Sequence, residues 1–165
     1  MRLGTDTLSV TSWMMGTGGT PVKGEGATEY LATDRHAFTV TSVSADGKAC
    51  TIREDIATRA DKNGMSDSQS YEYSFNEQGK DEQLVYRWGG WKRVKDEIAF
   101  TDELNDWIEK NPDLWHENYC YNGTRLLDEN NRNWLLVPGA TKMVKRYSKI
   151  NIRFGIRQKY YDFSF

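Results

Sequence analysis

The period of apolar positions changes from helical to strand-like near the start of the chain. Four apolar residues after Asp6 have the spacing of one face of a short amphipathic helix. They are Leu8, Val10, Trp13 and Met14. Five glycines and a proline between residues 16 and 26 then predict a linker, because such glycine density ends a helix. Residues 1–25 are therefore predicted to form an N-terminal helix and a glycine-rich linker.

Residues 26–95 show the alternation of β-strands. The stretches HAFTVTSVS and ACTIRE flank ADGK, a sequence typical of a tight hairpin turn. Further on, SYEYSFN places Tyr71, Tyr73 and Phe75 on one face, and EQLVYRW and WKRVK follow with turns at EQGK and GG. These five short strands predict a mainly β fold, a small SH3-like or OB-like bent β barrel, since closure removes exposed strand edges. An open meander sheet is the alternative.

Residues 96–148 break the strand pattern and are predicted to form an inserted lobe with a helix and a hairpin. Four apolar residues recur there at helical spacing: Phe100, Leu104, Trp107 and Ile108. Thr101 and Asp102 suit the first turn of this helix, and Asn111-Pro112 is expected to end it. The hairpin is expected around Pro138-Gly139.

Residues 149–165 return to a strand period. Ile150, Ile152, Phe154 and Ile156 alternate with polar residues, which predicts the closing strand of the barrel, followed by an aromatic C-terminus. The chain is expected to form one compact domain, because about 150 residues can bury about two thirds of their unfolded surface around one core.

The charge distribution along the chain says more than its total of −2. Residues 96–129 hold ten acidic and two basic residues, a segment charge of −8. Residues 130–159 hold eight basic residues and no acidic ones, a segment charge of +8. One interpretation is that the two segments fold against each other and neutralise. The other is that part of the basic segment forms a surface that attracts phosphates.

Aromatic residues follow the basic closing strand directly. Arg153 and Arg157 are four residues apart and so share a strand face, and Tyr160 and Tyr161 come next. Rings that stack on bases, beside arginines that hold phosphates, are a common means of binding nucleotides and single strands. These four residues are therefore candidate ligand-binding residues. The alternative is that the rings complete the core.

The polar loop at residues 55–70 is rich in hydrogen-bonding side chains. Its candidate ligand-binding residues are Arg59, Asn63, Ser66, Asp67 and Gln69, because binding groups often lie on loops carried by rigid sheets. Asn63, which precedes a glycine, equally fits a purely structural turn. A calcium site is not expected, because a methionine occupies an oxygen-ligand position of the loop pattern.

Several kinds of chemistry are not expected. Cys50 and Cys120 lack zinc-ligand spacing, and no metal or cofactor motif is found. His36 lies next to Asp34 and Arg35 and could act as a general base, but no Ser or Cys nucleophile is visibly paired with it. No apolar run approaches the roughly 18 residues of a membrane span. A protein of the reducing cytoplasm fits this composition.

Three stretches resemble a group of small, uncharacterised tailed-phage proteins that are seen widely in viral metagenomes. They are TDRHAFTV at 33–40, NGMSDSQSYEY at 63–73 and YYDFSF at 160–165. The resemblance covers residues 1–95 and 149–165, so residues 96–148 are an addition to the group's pattern. It implies a viral origin and a compact β fold, and it brings no catalytic residues with it.

The sequence therefore predicts a non-enzymatic phage accessory protein in the cytoplasm of an infected bacterium, which counters host defence by binding a nucleotide-like signal or nucleic acid. An alternative is an interaction module that binds a host defence protein or a virion component through the lobe, with Trp107, Trp115 and Trp134 as contact residues. A third is a small nucleotide-processing enzyme. A homo-oligomer is compatible with each of these.

Overall fold

The protein is mainly β, which confirms the predicted fold class. The computed structural model describes residues 2–8, 18–110, 112, 120–121, 124–125 and 139–163. Within these ranges it contains twelve strands and one helix. The strands are β1 Arg2–Leu8, β2 Gly26–Tyr30, β3 Arg35–Val43, β4 Ala49–Glu54, β5 Ile56–Arg59, β6 Gln69–Ser74, β7 Asp81–Arg87, β8 Gly90–Phe100, β9 Cys120–Tyr121, β10 Thr124–Arg125, β11 Thr141–Lys149 and β12 Ile152–Phe154, and the helix is α1 Asp102–Lys110.

The main sheet has seven strands in the order β11-β8-β7-β4-β3-β2-β12. Its two edge strands are separated in sequence only by Ile150 and Asn151, so the sheet curls until its edges lie within about 10 Å of each other at that point. Within the described residues no ladder joins these edges, so the predicted barrel is bent but not closed. The closing strand is short because Gly155, at φ 82°, turns the chain away after Phe154.

The hairpin predicted at ADGK forms between β3 and β4. Strands β3 and β4 pair antiparallel, and the turn between them contains Gly47 at φ 68°. The Ser44 hydroxyl and the Lys48 N–H both donate to Asp46, at 2.6 and 3.0 Å. Turn chemistry and strand alternation therefore agree here.

A second sheet has the order β1-β6-β5 and differs from the sequence prediction. Residues 2–8 pair antiparallel with β6, so they are a strand and not the start of a helix. Their sequence, RLGTDTL, contains threonines and a glycine that disfavour a helix, and β6 offers them a ladder. The rest of the predicted N-terminal helix lies outside the described residues. Strand β5 forms within the stretch that the sequence assigned to a polar loop.

The buried faces of the strands follow the predicted alternation. Ile150, Ile152 and Phe154 are buried, and Tyr71 and Tyr73 are buried side by side in β6. The main core contains Ala27, Phe38, Val40, Cys50, Ile52, Leu84, Ile150, Ile152 and Phe154. A smaller cluster contains Ala37, Tyr71 and Tyr73.

The chain divides into two compact units. The first consists of Met1–Val94 and Tyr147–Phe165 and holds both of these clusters. The second is Lys95–Arg146. The domain boundaries predicted from the sequence stay a prediction.

The second unit contains the predicted helix. Helix α1 begins after Thr101, whose hydroxyl oxygen accepts the Leu104 N–H at 3.4 Å. Leu104 is buried with Ala140, and Phe100, Trp107 and Ile108 pack against this pair. Of the predicted hairpin, Gly139 and Ala140 form a turn that leads into β11, and the residues before them lie outside the described ranges. In the described part of the chain no helix has the length and apolar character needed to cross a membrane.

Candidate functional site

Arg157, a predicted ligand-binding residue, is engaged within the fold. Its Nε donates to Asp55 Oδ2 at 2.7 Å, and its Nη2 donates to the Thr39 hydroxyl at 3.0 Å. The Asp55 side chain is completely buried, and this burial raises its pKa, against the hydrogen bonds from Thr39 and Arg157 that lower it. These contacts tie the C-terminal segment to β3 and occupy the guanidinium with an internal carboxylate.

Arg59 and the polar loop are organised by Asp61. Arg59 donates two hydrogen bonds to the Asp61 carboxylate, at 2.7 and 3.0 Å. The same carboxylate accepts hydrogen bonds from the backbone N–H groups of Asn63 and Ser70. The Arg59 hydrogen bond, followed by these backbone donors, holds the pKa of Asp61 well below its usual range. The Ser66 hydroxyl accepts a further loop N–H at 3.2 Å. The loop thus has a consistent set of internal hydrogen bonds, as expected for a structural turn.

Gln69, Asp67 and Tyr160 fasten the aromatic C-terminal segment. The amide nitrogen of the buried Gln69 donates to the Tyr161 carbonyl at 2.7 Å. The Tyr160 hydroxyl donates to Asp67 at 3.0 Å, and burial, followed by this hydrogen bond, raises the pKa of Tyr160 to about 12. Of the two predicted ligand-binding tyrosines, Tyr160 is therefore buried in the protein.

The ring of Tyr161 is 46% exposed and lines a cleft of about 420 Å³. The charged residues of this cleft are Asp34 and Asp162, and the Asp162 N–H donates to the Asp34 carboxylate at 2.9 Å. Two carboxylates repel an anion, so this cleft suits an anionic ligand poorly.

Arg153 is not among the residues that line this cleft. Arg153 is half-buried in β12, opposite Thr28 of β2. Trp107 is half-buried in α1, where its ring packs against the small cluster of the second unit. Trp115 and Trp134 lie outside the described residues.

A strained turn carries the most exposed large apolar side chain of the described residues. Strands β7 and β8 are joined by Trp88 and Gly89, whose φ angles of 51° and 74° are those of a two-residue type I′ turn. Asn or Gly usually occupies the first position of such a turn, and a bulky residue there is rare. In the described part of the chain Trp88 alone among non-glycine residues has a positive φ, and it is 75% exposed. The fold therefore gains little from this side chain.

The Trp88 ring belongs to a cluster of rings and a cation. It meets Tyr147 edge-to-face, with ring centroids 5.7 Å apart and an interplanar angle of 85°. The Arg87 guanidinium lies 4.9 Å from the Tyr147 ring centroid and 5.9 Å from that of Trp88. An exposed ring beside a cation is the combination that grips bases and phosphates in proteins that bind single strands.

A cleft of about 460 Å³ lies beside this turn, and Tyr86 lines it. Tyr86 is 46% exposed and meets Trp91 edge-to-face at 5.7 Å. Gly90 and Lys149 also line this cleft. The volume is in the range of small-ligand sites. We call the following residues the Trp88 edge: Tyr86, Arg87, Trp88, Gly90, Tyr147 and Lys149.

The Trp88 edge carries positive charge that the rest of the described chain does not neutralise. No described carboxylate forms an ion pair with Arg87 or Lys149, whereas three other cations of the basic segment pair with residues of the acidic one. These exposed pairs are Lys142–Asp102 at 3.8 Å, Lys145–Asp96 at 3.4 Å and Arg146–Glu97 at 3.3 Å. The two oppositely charged segments thus neutralise in part, while Lys149 has no ion-pair partner among the described carboxylates.

Neither a metal site nor a nucleophile–base pair is found among the described residues. They contain no group of His, Cys, Asp and Glu side chains placed to hold a metal ion. His36, the candidate base, pairs with Glu54, with Nδ1 and Oε1 2.9 Å apart, and not with Asp34. Within the described ranges no Ser, Thr or Cys side chain hydrogen-bonds to His36.

Comparison of the chain with protein-family models, with curated proteins and with solved structures finds no match. The resemblance to tailed-phage proteins therefore stays a prediction. The site is inferred from geometry and charge.

Sequence reasoning did not identify Arg87, Trp88 or Tyr147 as site residues. When the turn is assigned to Gly89 and Gly90, Trp88 is the last residue of a strand and is not a candidate site residue. The observed pairing of Arg87 with Gly90 moves the turn one residue earlier and puts Trp88 in it. A tryptophan directly before the glycine of a two-residue turn was the available signal.

Proposed function

We propose that the protein binds an anionic ligand with an aromatic base, a nucleotide or nucleic acid, at the Trp88 edge, and that it acts by binding and not by catalysis. The observation that carries this proposal is Trp88, which is strained, 75% exposed and adjacent to Arg87. Strained residues cluster at functional sites, because their cost of about 1–3 kcal/mol is retained where it serves a purpose.

The chemistry of the edge fits such a ligand. Stacking of a base on an aromatic side chain contributes about 1–3 kcal/mol. Arg87 and Lys149 provide cations for phosphate oxygens, and contacts of this kind weaken as salt rises. The acidic cleft at Tyr161 has the opposite charge, so the Trp88 edge is the better site.

The resemblance of three stretches to tailed-phage proteins supports a role for this binding in a phage-infected cell. A phage accessory protein that binds a nucleotide signal or nucleic acid in the infected cell counters host defence without performing a reaction.

The test is a binding panel on the full-length protein. Cyclic and linear nucleotides, and short DNA and RNA, are titrated at about 50 and 200 mM salt. We expect at least one ligand to bind, more weakly at the higher salt concentration. Trp88→Ala and Arg87→Ala are each expected to weaken binding by about tenfold or more.

A matched pair of tyrosine variants separates the two clefts. Tyr86 and Tyr161 are each 46% exposed, so replacement of either by Ala removes a ring of equal exposure. We expect Tyr86→Ala to weaken binding and Tyr161→Ala to leave it unchanged. The reverse result would place the ligand at the C-terminal segment. Absence of any binding at low salt would refute the proposal and favour a protein partner for the exposed rings.

A further inference from the structure

We infer that the outer face of strands β7, β8 and β11 is a track for the phosphate groups of a nucleic-acid strand, held by Arg87, Lys92 and Lys149, while one base of that strand stacks on Trp88. This inference rests on the proposed function, and it chooses a strand with several phosphates over a free nucleotide. We call Arg87, Lys92 and Lys149 the cation row.

Arg87 and Lys92 lie on the outer face of the main sheet. In β7, Leu84 belongs to the main core, so Arg87, three residues further on, points to the opposite face. Arg87 is opposite Gly90, and Lys92 is two residues beyond Gly90 in β8. The two cations are therefore diagonal cross-strand neighbours, about 7–8 Å apart. Arg93, which follows Lys92, is opposite Leu84 and so belongs to the inner face.

Strand β11, the neighbour of β8, adds Lys149 to the same face. The Tyr147 ring contacts the Arg87 guanidinium, 4.9 Å from the ring centroid, and meets the Trp88 ring edge-to-face, so Tyr147 is on the outer face. Lys149 is two residues further along β11 and shares that face. Ile150, which comes next, is buried in the main core, as this alternation requires. The cation row thus crosses three adjacent strands, each about 4.8 Å from the next.

The described residues do not neutralise the cation row. No described carboxylate forms an ion pair with any of its three members. By the same alternation, the outer face of β7 and β8 carries two carboxylates, Asp81 and Asp96. Asp81 pairs with Arg53 at 2.7 Å. Asp96 pairs with Lys145 at 3.4 Å, so neither carboxylate offsets the row. An excess of positive charge on one face attracts anions, and cations on three strands suit phosphates that follow one another along a chain.

Trp88 lies at the hairpin tip beside the cation row and selects a single strand. Its ring is 75% exposed, so a base can stack on it. The bases of a duplex are paired and stacked inside the helix, and they reach a surface ring only after unstacking, at a cost of a few kcal/mol. Phosphate contacts and base stacking are both tolerant of sequence, so binding without a strong sequence preference is expected.

The test measures how the affinity of the full-length protein depends on salt. The probes are a twelve-nucleotide single strand, the duplex of that strand and a nucleoside triphosphate. Each phosphate contact to a single strand contributes about −0.7 to the slope of log affinity against log salt concentration, so three contacts predict a slope of about −2. Between about 50 and 200 mM salt the affinity for the strand should fall about 18-fold. At the lower salt concentration we expect the strand to bind about tenfold more tightly than either of the other probes.

Lys92→Gln and Lys149→Gln each remove one phosphate contact. In each variant the slope should become about −1.4, a fall of about sevenfold over the same salt range. Lys62→Gln is the matched control, because it removes the same charge from the exposed polar loop, and its slope should equal that of the wild type. Thermal unfolding checks that each variant is folded, and the exposed Lys149 serves if the half-buried Lys92 proves necessary for stability. Trp88→Ala should weaken strand binding about 5- to 150-fold without changing the slope, because it removes stacking and not charge.

The possible failures are distinguishable. Equal affinity for the strand and the triphosphate, with both weakened by Trp88→Ala, would overturn the strand inference and leave the proposed function intact. A wild-type slope in both lysine variants, or tighter binding of the duplex than of the single strand, would also overturn the inference. Binding of none of the three probes would overturn both the inference and the proposed function.

Discussion

Replacement of Trp88 by Asn is expected to leave the protein about as stable as the wild type. This is unusual for a tryptophan, because Trp→Ala changes at buried positions cost about 3–5 kcal/mol. Trp88 is 75% exposed and its φ is 51°, so its ring contributes little burial and its backbone is strained. Asn is a preferred residue for this turn position.

The expected change in the free energy of unfolding for Trp88→Asn is the sum of two opposing contributions. Left-handed backbone angles cost an ordinary residue about 1–2 kcal/mol, and Asn avoids most of this cost. Removal of the ring loses the edge-to-face contact with Tyr147, which is worth about 0.5–1.5 kcal/mol. Arg87 keeps its closer ring contact, at 4.9 Å from the Tyr147 centroid. The free energy of unfolding should therefore change by less than about 1 kcal/mol.

Urea unfolding followed by far-ultraviolet circular dichroism measures the change, with equal slopes as the condition for comparing midpoints. Trp91→Ala is the matched control, because Trp91 packs against the main core and meets Phe154 edge-to-face at 5.2 Å. It should cost about 3 kcal/mol. A loss above about 2 kcal/mol for Trp88→Asn would contradict the reasoning, since it would show that Trp88 serves folding.

Three further predictions concern the fold. Asp55→Ala should lower the free energy of unfolding by about 3–5 kcal/mol, because it leaves the mostly buried Arg157 guanidinium without its partner; a urea-measured loss below about 1 kcal/mol would contradict this. Because the pKa of Asp61 is held below its usual 3.8, its stabilising contribution is present above that value and is lost as the pH falls through the lower pKa of the folded state. Asp61→Asn should therefore flatten the fall in stability below about pH 4, and an unchanged acid profile would refute that assignment. Burial raises the pKa of the Cys50 thiol to about 12, so iodoacetamide at about pH 8 should modify Cys50 in urea but not in the folded protein, as site-resolved mass spectrometry can show.

The features that sequence predicted correctly depend on near neighbours. The hairpin at Gly47, the paired burial of Tyr71 and Tyr73, and helix α1 each follow from turn residues or from the period of apolar positions. Strands β1 and β5 did not show this period. They are short or polar, and their partner β6 supplies the hydrogen bonds that make them strands.

The ion-pair partners of the charged residues could not be predicted from the sequence, because these pairs join positions that are distant along the chain. Arg157 and Asp55 are 102 residues apart and meet because the segment after β12 lies across β2 and β3. Composition alone could not show which cations of the basic segment would find a carboxylate. The position of Trp88 depended on a shift of one residue in a turn, which decides whether a side chain belongs to a strand or to the tip of a hairpin.

The most direct test of the Trp88 edge is a map of backbone amide shifts in the ¹⁵N-labelled full-length protein as a twelve-nucleotide single strand is added. The largest changes are predicted at Arg87–Gly90 and at Tyr147–Asn151, together with the indole N–H of Trp88. Changes centred on Asp34 and Tyr161, with the signals of the Trp88 edge unmoved, would contradict the assignment of the site.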